Sequence, residues 1–182
     1  MEVRFLNPQE AVTYRDLRLQ ALRESPTAFA SSYEQEVRLS LGDFAARLRP
    51  NDDSASGVFG AFNDRNHLTG MLGFSRETRL KRVHIGTLWS MYVLPEFRSQ
   101  GVGARLLDSA IAHARLLDGL RQLTLSFTAG NVAAGALYRS RGFEPFGLAR
   151  EAMCIDGNYF DEEYFVLYLT RDARPVNPFL RL

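Results

Sequence analysis

The chain has few of the residues that would tie it to a metal, a disulfide or a lysine-borne intermediate. Its 182 residues include one cysteine, Cys154, so neither an internal disulfide nor a multi-cysteine metal centre fits. Of 22 basic residues, Lys81 is the single lysine, which leaves one candidate for Schiff-base chemistry. The net charge of +1 is too small for bulk electrostatic binding of nucleic acid or for a polybasic membrane anchor. Long apolar runs are also missing. The longest uncharged stretch, Gln122 to Tyr138, is broken by Thr124, Ser126, Thr128, Gly130 and Asn131 and does not make a membrane span. Glu2 and Arg4 interrupt the beginning of the chain and argue against a signal peptide. What remains is ordinary for a globular protein: 46% hydrophobic and 24% charged residues, at a length that suits one compact core. The expectation is a single domain over 1–182, cytoplasmic, with no metal, nucleic-acid or membrane partner.

Apolar alternation in Val3-Arg4-Phe5-Leu6 predicts a short strand. It runs into Asn7-Pro8-Gln9-Glu10, where Asn7 caps a helix, Pro8 presets its first φ and Glu10 completes a capping box. Val12, Leu19 and Leu22 recur at helical spacing, and Ser25-Pro26 ends the helix. Thr27 to Pro50 reads as a looser helical connection and Asn51 to Gly57 as turns. Val58 to Phe62, Leu68 to Glu77 and Val83 to Val93 read as strands, and their short polar links favour an antiparallel meander. From Gly101 to Leu117 the residues Val102, Leu106, Leu107, Ala110 and Ala114 follow a 3.6 period, with Gly119 as the stop. Leu123, Leu125 and Phe127 alternate as a strand, Asn131 to Arg141 is a helix closed by Gly142, and two strands meet around Asp156-Gly157-Asn158. This is an α/β layout in which helices serve one central sheet. Cys154 reads as a packing residue and His113 as a helix-boundary residue. The tail 171–182, with Phe179, Leu180 and Leu182, reads as a segment that docks on the domain or on a second copy in a homodimer.

Two segments carry chemistry. The first, Met91 to Ala104, passes from a strand through Pro95 to a helix start at Gly101 and Gly103. Amides at a helix start are unpaired and the dipole there is positive, which suits a phosphate or pyrophosphate, and glycine lets such a ligand reach the backbone. The run lacks the third glycine and the later acidic residue of a dinucleotide fingerprint, and no G-x-x-x-x-G-K-[ST] loop exists. Taken alone, the glycine pair equally describes an ordinary helix start. The second segment is Asn131-x-x-Ala134-x-x-Leu137-Tyr138-x-x-x-Gly142-Phe143. Offsets of three and seven put Asn131, Ala134 and Tyr138 on one helix face. Taken alone, Tyr138 is more often a packing tyrosine than a catalytic one.

Together the two segments resemble the signatures of the GNAT superfamily of N-acetyltransferases. Arg98-Ser99-Gln100-Gly101-Val102-Gly103 is similar to its [QR]-x-x-G-x-[GA] turn, and the Asn131 to Phe143 helix is similar to its second motif. The resemblance implies a mixed, mostly antiparallel sheet flanked by helices, with two neighbouring parallel strands splayed into a wedge for acetyl-CoA. Met91, Tyr92 and Val93 would lie on the strand that adds the pantetheine arm. Amides from Arg98, Ser99, Gln100, Gly101, Val102, Gly103 and Ala104 would hold the pyrophosphate, Asn131 would reach the pantetheine, and Tyr138 would lie at the sulfur. The acceptor would be a primary amine of a small molecule or peptide. An alkylamine with a pKa of about 10.4 is only ~0.04% neutral at pH 7, so the site must take a proton from it, while the departing thiolate gains from the Tyr138 proton.

The family's usual strand glutamate falls here at Thr87. Ser90 and His84 share that strand, and Glu34 and Glu36 lie in the region that shapes acceptor sites in the family. The two glutamates either hold an ammonium or form a solvated helix face, and no base is assigned. A catalytically silent acyl-CoA-binding module is the rival from another class, and a longer acyl chain is the rival within this one.

Overall fold

Asn7 and Pro8 start the first helical segment as the sequence predicts. Asn7 Oδ1 accepts from the Gln9 amide at 3.0 Å, and Glu10 Oε2 accepts from the Asn7 amide at 2.9 Å. A 3-10 turn over Pro8–Glu10 leads into α1, Ala11–Glu24. The computed structural model describes residues 1–48 and 56–169. Residues 51–55 of the expected Asn51 to Gly57 turn and the 171–182 tail, on which the subunit-docking expectation rests, lie outside the described residues. The buried face of α1 runs through Tyr14, Leu17, Arg18, Ala21 and Leu22. Val12, expected on that face, is 47% exposed. The expectation missed because the true stripe contains a charged residue, Arg18, which breaks its apolar appearance.

Two short helices fill the 27–48 connection, α2 at Tyr33–Glu36 and α3 at Leu41–Arg47. The second starts with a capping box between Ser40 and Asp43. Then come β2 (Gly57–Phe62), β3 (Leu68–Arg76) and β4 (Ile85–Val93), preceded in the chain by β1 (Glu2–Phe5). Next are α4 (Val102–Leu116), β5 (Gln122–Thr128), α5 (Val132–Arg139), β6 (Glu144–Ile155) and β7 (Asn158–Tyr168). Asp156 and Gly157, both at positive φ, form the two-residue hairpin turn that right-handed strand twist favours.

The seven strands form one sheet in the order β1-β2-β3-β4-β5-β7-β6. Every neighbouring pair is antiparallel except β4 and β5. On one face α4 packs Leu106, Leu107 and Ala110 against Leu123, Phe127 and Phe165. On the other, α1 and α3 bring Tyr14, Leu17 and Phe44 against Met71 and Tyr92. His113, partly buried at the helix boundary as expected, sits edge-on to Phe5, Phe59 and Phe74. Cys154, expected as packing, is exposed on the edge strand β6. Among the described residues no helix is long and apolar enough to cross a membrane.

Two irregularities shape the site. The parallel pair runs only from Ile85, Gly86 and Thr87 to Gln122, Leu123 and Thr124, after which the strands diverge. Thr87 Oγ1 and Thr124 Oγ1, 3.3 Å apart, close the fork. Just beyond it β4 bulges: Gly73 lies opposite Trp89 and Met71 opposite Tyr92, so β4 spends one more residue than β3, and Ser90 takes φ +54°. A Cβ at Gly73 would fall inside the Trp89 indole. Gly73→Ala is therefore expected to destabilise the fold by about 1–3 kcal/mol. A lowered urea midpoint at unchanged slope checks this. Trp89 is the only tryptophan, so the same titration followed by its fluorescence reports the displaced ring. An unchanged midpoint would mean that the ring swings aside at no cost.

Candidate active site

Beyond the fork, β4 has a free edge toward β5. Leu94 donates its amide to Thr69 of β3, so strand alternation turns the backbone polar groups of Met91 and Val93 the other way, into the splay. The Val93 carbonyl accepts from Arg98 Nε at 3.0 Å. Past Pro95–Phe97, Ser99 at φ +59° and Gly101 at φ +79° alternate with residues at negative φ. No atom lies within 4 Å of a Cβ built at Gly101. The first bond of α4 joins the Arg105 amide to the Gly101 carbonyl at 3.0 Å, so the amides of Val102, Gly103 and Ala104 have no acceptor within the helix. These donors line one side of a cleft of about 570 Å³ whose other side is α5, with Asn131, Ala134 and Tyr138. An anionic, extended ligand fits this lining: exposed donors at a helix start meet the charge, and a bare strand edge meets a peptide-like arm.

The structure brings together most of the residues predicted for the coenzyme and turns two of their side chains away. Met91, Val93, Arg98, Ser99 and the 101–104 turn all border the cleft. Gln100 does not, because its side chain folds back to donate to the Glu96 carbonyl at 2.7 Å. Tyr92 borders the cleft, but its ring packs on the α1 side and its hydroxyl donates to Glu24. Asn131 caps α5 through the Ala134 amide at 3.1 Å, a structural duty that leaves its side-chain nitrogen free to face a ligand.

Tyr138 is 6% exposed and packs against Phe127 and Phe143, with ring centroids 5.4 and 6.0 Å away. Its hydroxyl has no hydrogen-bond partner among the described residues, and the side chain borders both the cleft and a small gap of about 90 Å³ beneath it. Burial pushes the phenol up to about 12, so it keeps its proton throughout the neutral range.

The gap reaches the fork. Ala28, Leu88, Trp89, Ser90 and Ser126 bound it on one side and also bound a cup of about 420 Å³ on the opposite face of the sheet. Three of the cup's charged residues come from the helices. Arg18 of α1 and Arg47 of α3 both bind Glu36 of α2, at 2.7 and 2.8 Å, and Arg18 Nη1 donates to Ser90 Oγ at 3.0 Å. Burial alone would raise the Glu36 carboxyl, but the bonds from Arg18 and Arg47 outweigh it and hold the group at about 2. A carboxylate so committed is a poor proton acceptor.

Glu162 of β7 is the fourth charged residue of the cup. It lies opposite Thr128, and its carboxylate accepts from the Tyr164 hydroxyl at 3.1 Å. Glu34, expected beside Glu36, faces a separate hollow with Tyr33 and Cys154. Arg18 and Arg47 are the site residues that the sequence reading missed, and Glu162 is one to which it gave no chemical role. Among the described residues no group of three or more His, Cys, Asp or Glu side chains is placed to hold a metal ion.

With this geometry in place, the comparisons define the class. The profile of the acetyltransferase (GNAT) family matches residues 19–143, and the chain belongs to that family. Family membership makes acyl transfer from acetyl-CoA its class of activity. Curated protein sequences give no match. Solved structures do. An acetyltransferase of the GNAT family from Streptococcus pneumoniae is 23% identical, with 92% of this chain and 98% of that one covered and a TM-score of 0.80. A ribosomal-protein-alanine N-acetyltransferase from Brucella melitensis is 21% identical, with 92% and 99% covered and a TM-score of 0.79. A phosphinothricin acetyltransferase from Sinorhizobium meliloti in complex with AcCoA is 21% identical, with 97% and 95% covered and a TM-score of 0.80. At these identities the likeness is one of fold, and the acceptor has to be argued from this chain's own site.

Proposed function

We propose that the protein is an acetyl-CoA-dependent N-acetyltransferase that acetylates a primary amine by direct attack. The reading rests on three neighbouring spaces that share lining residues. A helix-start amide cradle borders an unpartnered phenol, and the gap at the phenol shares Leu88, Ser90 and Ser126 with a cup bearing a carboxylate. The amides of Val102, Gly103 and Ala104 bind the pyrophosphate, the Met91 and Val93 edge orients the pantetheine, and Asn131 supports it from α5. Bound acetyl-CoA supplies an activated acetyl group whose carbon–sulfur bond breaks as the carbon–nitrogen bond forms.

Glu162 takes the proton that the ammonium must lose, directly or through one water. Tyr138 gives its proton to the departing sulfur, and solvent restores both groups. Glu162 fills this role better than Glu36 because its carboxylate accepts one neutral hydroxyl bond, whereas Glu36 is held by two guanidiniums. The gap of about 90 Å³, walled by Leu72, Leu88 and Phe127, favours a two-carbon acyl group over a long chain. The deciding experiment measures acetyl-CoA binding by calorimetry and free-thiol release with a panel of amino acids, peptides, polyamines and aminoglycosides. Saturable thiol release with at least one amine is expected. Binding without release on any of them would favour a silent coenzyme-binding module instead.

A further inference from the structure

The cup on the acceptor side keeps its charges apart. Its helical wall carries Arg18 and Arg47 with Glu36 between them, and one carboxylate against two guanidiniums leaves that wall one positive charge in excess. Arg18 is 3% exposed and fixed on three sides: by Glu36, by Ser90, and by the Phe29 ring, which lies 4.8 Å from its guanidinium carbon. Arg47 donates Nη1 to Glu36, and 30% of its side chain stays exposed at the rim. The strand wall carries Glu162, which has no cationic partner within 4 Å among the described residues. Charge withdrawn from water is costly unless it is matched. Here the excess positive charge and the carboxylate face a shared volume of about 420 Å³ without meeting, a size that suits a small ligand.

We infer that the acceptor is a compact zwitterion, an α-amino acid or close analogue. Its carboxylate is gripped by Arg47, with Arg18 behind it, and its amine is presented at Glu162. The inference rests on the N-acetyltransferase reading above and names the substrate class for it. Orientation follows from the register. Glu162 is the cross-strand partner of Thr128, which bounds the gap beneath Tyr138, so the amine lies at the end nearer the phenol and the carboxylate toward the helices. A guanidinium fork matches a carboxylate in plane, which a lysine would not. A polyamine would bring a second cation to the arginine wall, and a peptide N-terminus would bring no anion to it.

The test first screens the common α-amino acids for thiol release. It then takes the best substrate with its methyl ester, its decarboxylated amine and its desamino acid, on wild type, Arg47→Met and Arg47→Lys. The amino acid is expected to show kcat/KM at least ~10-fold above the ester and the decarboxylated amine. Arg47→Met is expected to raise its KM by ~10–100-fold, a larger factor than for the ester, with the effect falling on KM more than on kcat, and Arg47→Lys to recover part of that loss. Independently of turnover, the desamino acid is expected to bind wild type in calorimetry and to lose that binding in Arg47→Met. If Arg47→Met fails to fold, the wild-type comparison of amino acid, ester and amine still decides. Ester or decarboxylated amine turned over as well as the amino acid overturns the zwitterion and leaves the N-acetyltransferase standing. Absence of thiol release with every amine, from protein that binds acetyl-CoA, overturns both.

Discussion

Tyr138→Phe is expected to lower kcat by ~10²–10⁴-fold, the usual cost of a lost general acid, with the affinity for acetyl-CoA little changed. The substitution removes one oxygen and keeps the ring that packs on Phe127 and Phe143. That oxygen has no protein partner among the described residues, so its removal leaves no buried group unsatisfied and stability should hold or rise slightly. A variant that melts at the wild-type temperature yet turns over slowly separates chemistry from packing. A kcat within about threefold of wild type would remove Tyr138 from the mechanism.

The pH dependence separates the acid from the base. Because burial lifts Tyr138 to about 12, it stays protonated up to pH 10 and produces no alkaline fall in kcat below that. Its loss is therefore a constant factor across the neutral range. Glu162→Gln behaves differently. An amine with a pKa of about 10.4 gains roughly tenfold in neutral fraction for each pH unit. The deficit of that variant should shrink between pH 7 and 9 as solvent does the deprotonation. Parallel profiles for the two variants would contradict the division of roles.

The turn at Gly101 and Gly103 and the Asn131–Tyr138 face were legible in the sequence because each is built within one short segment. A helix start and a helix face obey local geometry, and no distant residue is needed to form them. Gln100 belongs to the same motif, yet its side chain turns to its own backbone neighbourhood at Glu96, a choice among rotamers that a motif does not encode. The cup proposed for the acceptor was legible only at Glu36. Its charged residues come from α1, α2, α3 and β7, four elements whose proximity follows from sheet order and not from spacing along the chain.

Two traces were nevertheless present in the sequence. Arg18 occupies the buried stripe between Leu17 and Ala21, where a charge demands a partner. Alternation in β7 sends Phe165 and Leu167 to the α4 core, which puts Glu162, Tyr164 and Val166 on the opposite face beside Ser126. Thr87, at the position of the family's usual glutamate, instead bonds Thr124 at the fork. In our reading the proton acceptor has moved from β4 to β7.

Glu36→Ala is expected to be the most damaging stability change at the site. Removing the carboxylate leaves Arg18, almost fully buried, facing Arg47 with no counter-charge, and breaking such a buried pair costs about 3–5 kcal/mol. At roughly 2–4 °C per kcal/mol for a domain of this size, the melting temperature should fall by about 6–20 °C. The sign of the pH effect is fixed by the same bonds. Glu36 is held at about 2 against an ordinary 4.5, so its contribution is complete above pH 4.5 and is lost as pH falls through 2. Glu36→Gln should therefore flatten the stability profile of the protein between pH 4.5 and 2. A midpoint within 2 °C of wild type for Glu36→Ala would show that water reaches Arg18 and pairs it. The double variant Arg18→Met/Glu36→Leu tells what the cluster is for. Apolar replacements of a buried pair often restore stability, but they also remove the donor that holds Ser90 Oγ in the β4 bulge. Recovery of the melting temperature without recovery of thiol release would assign the charges to shaping the fork and the acceptor cup, not to holding the fold together.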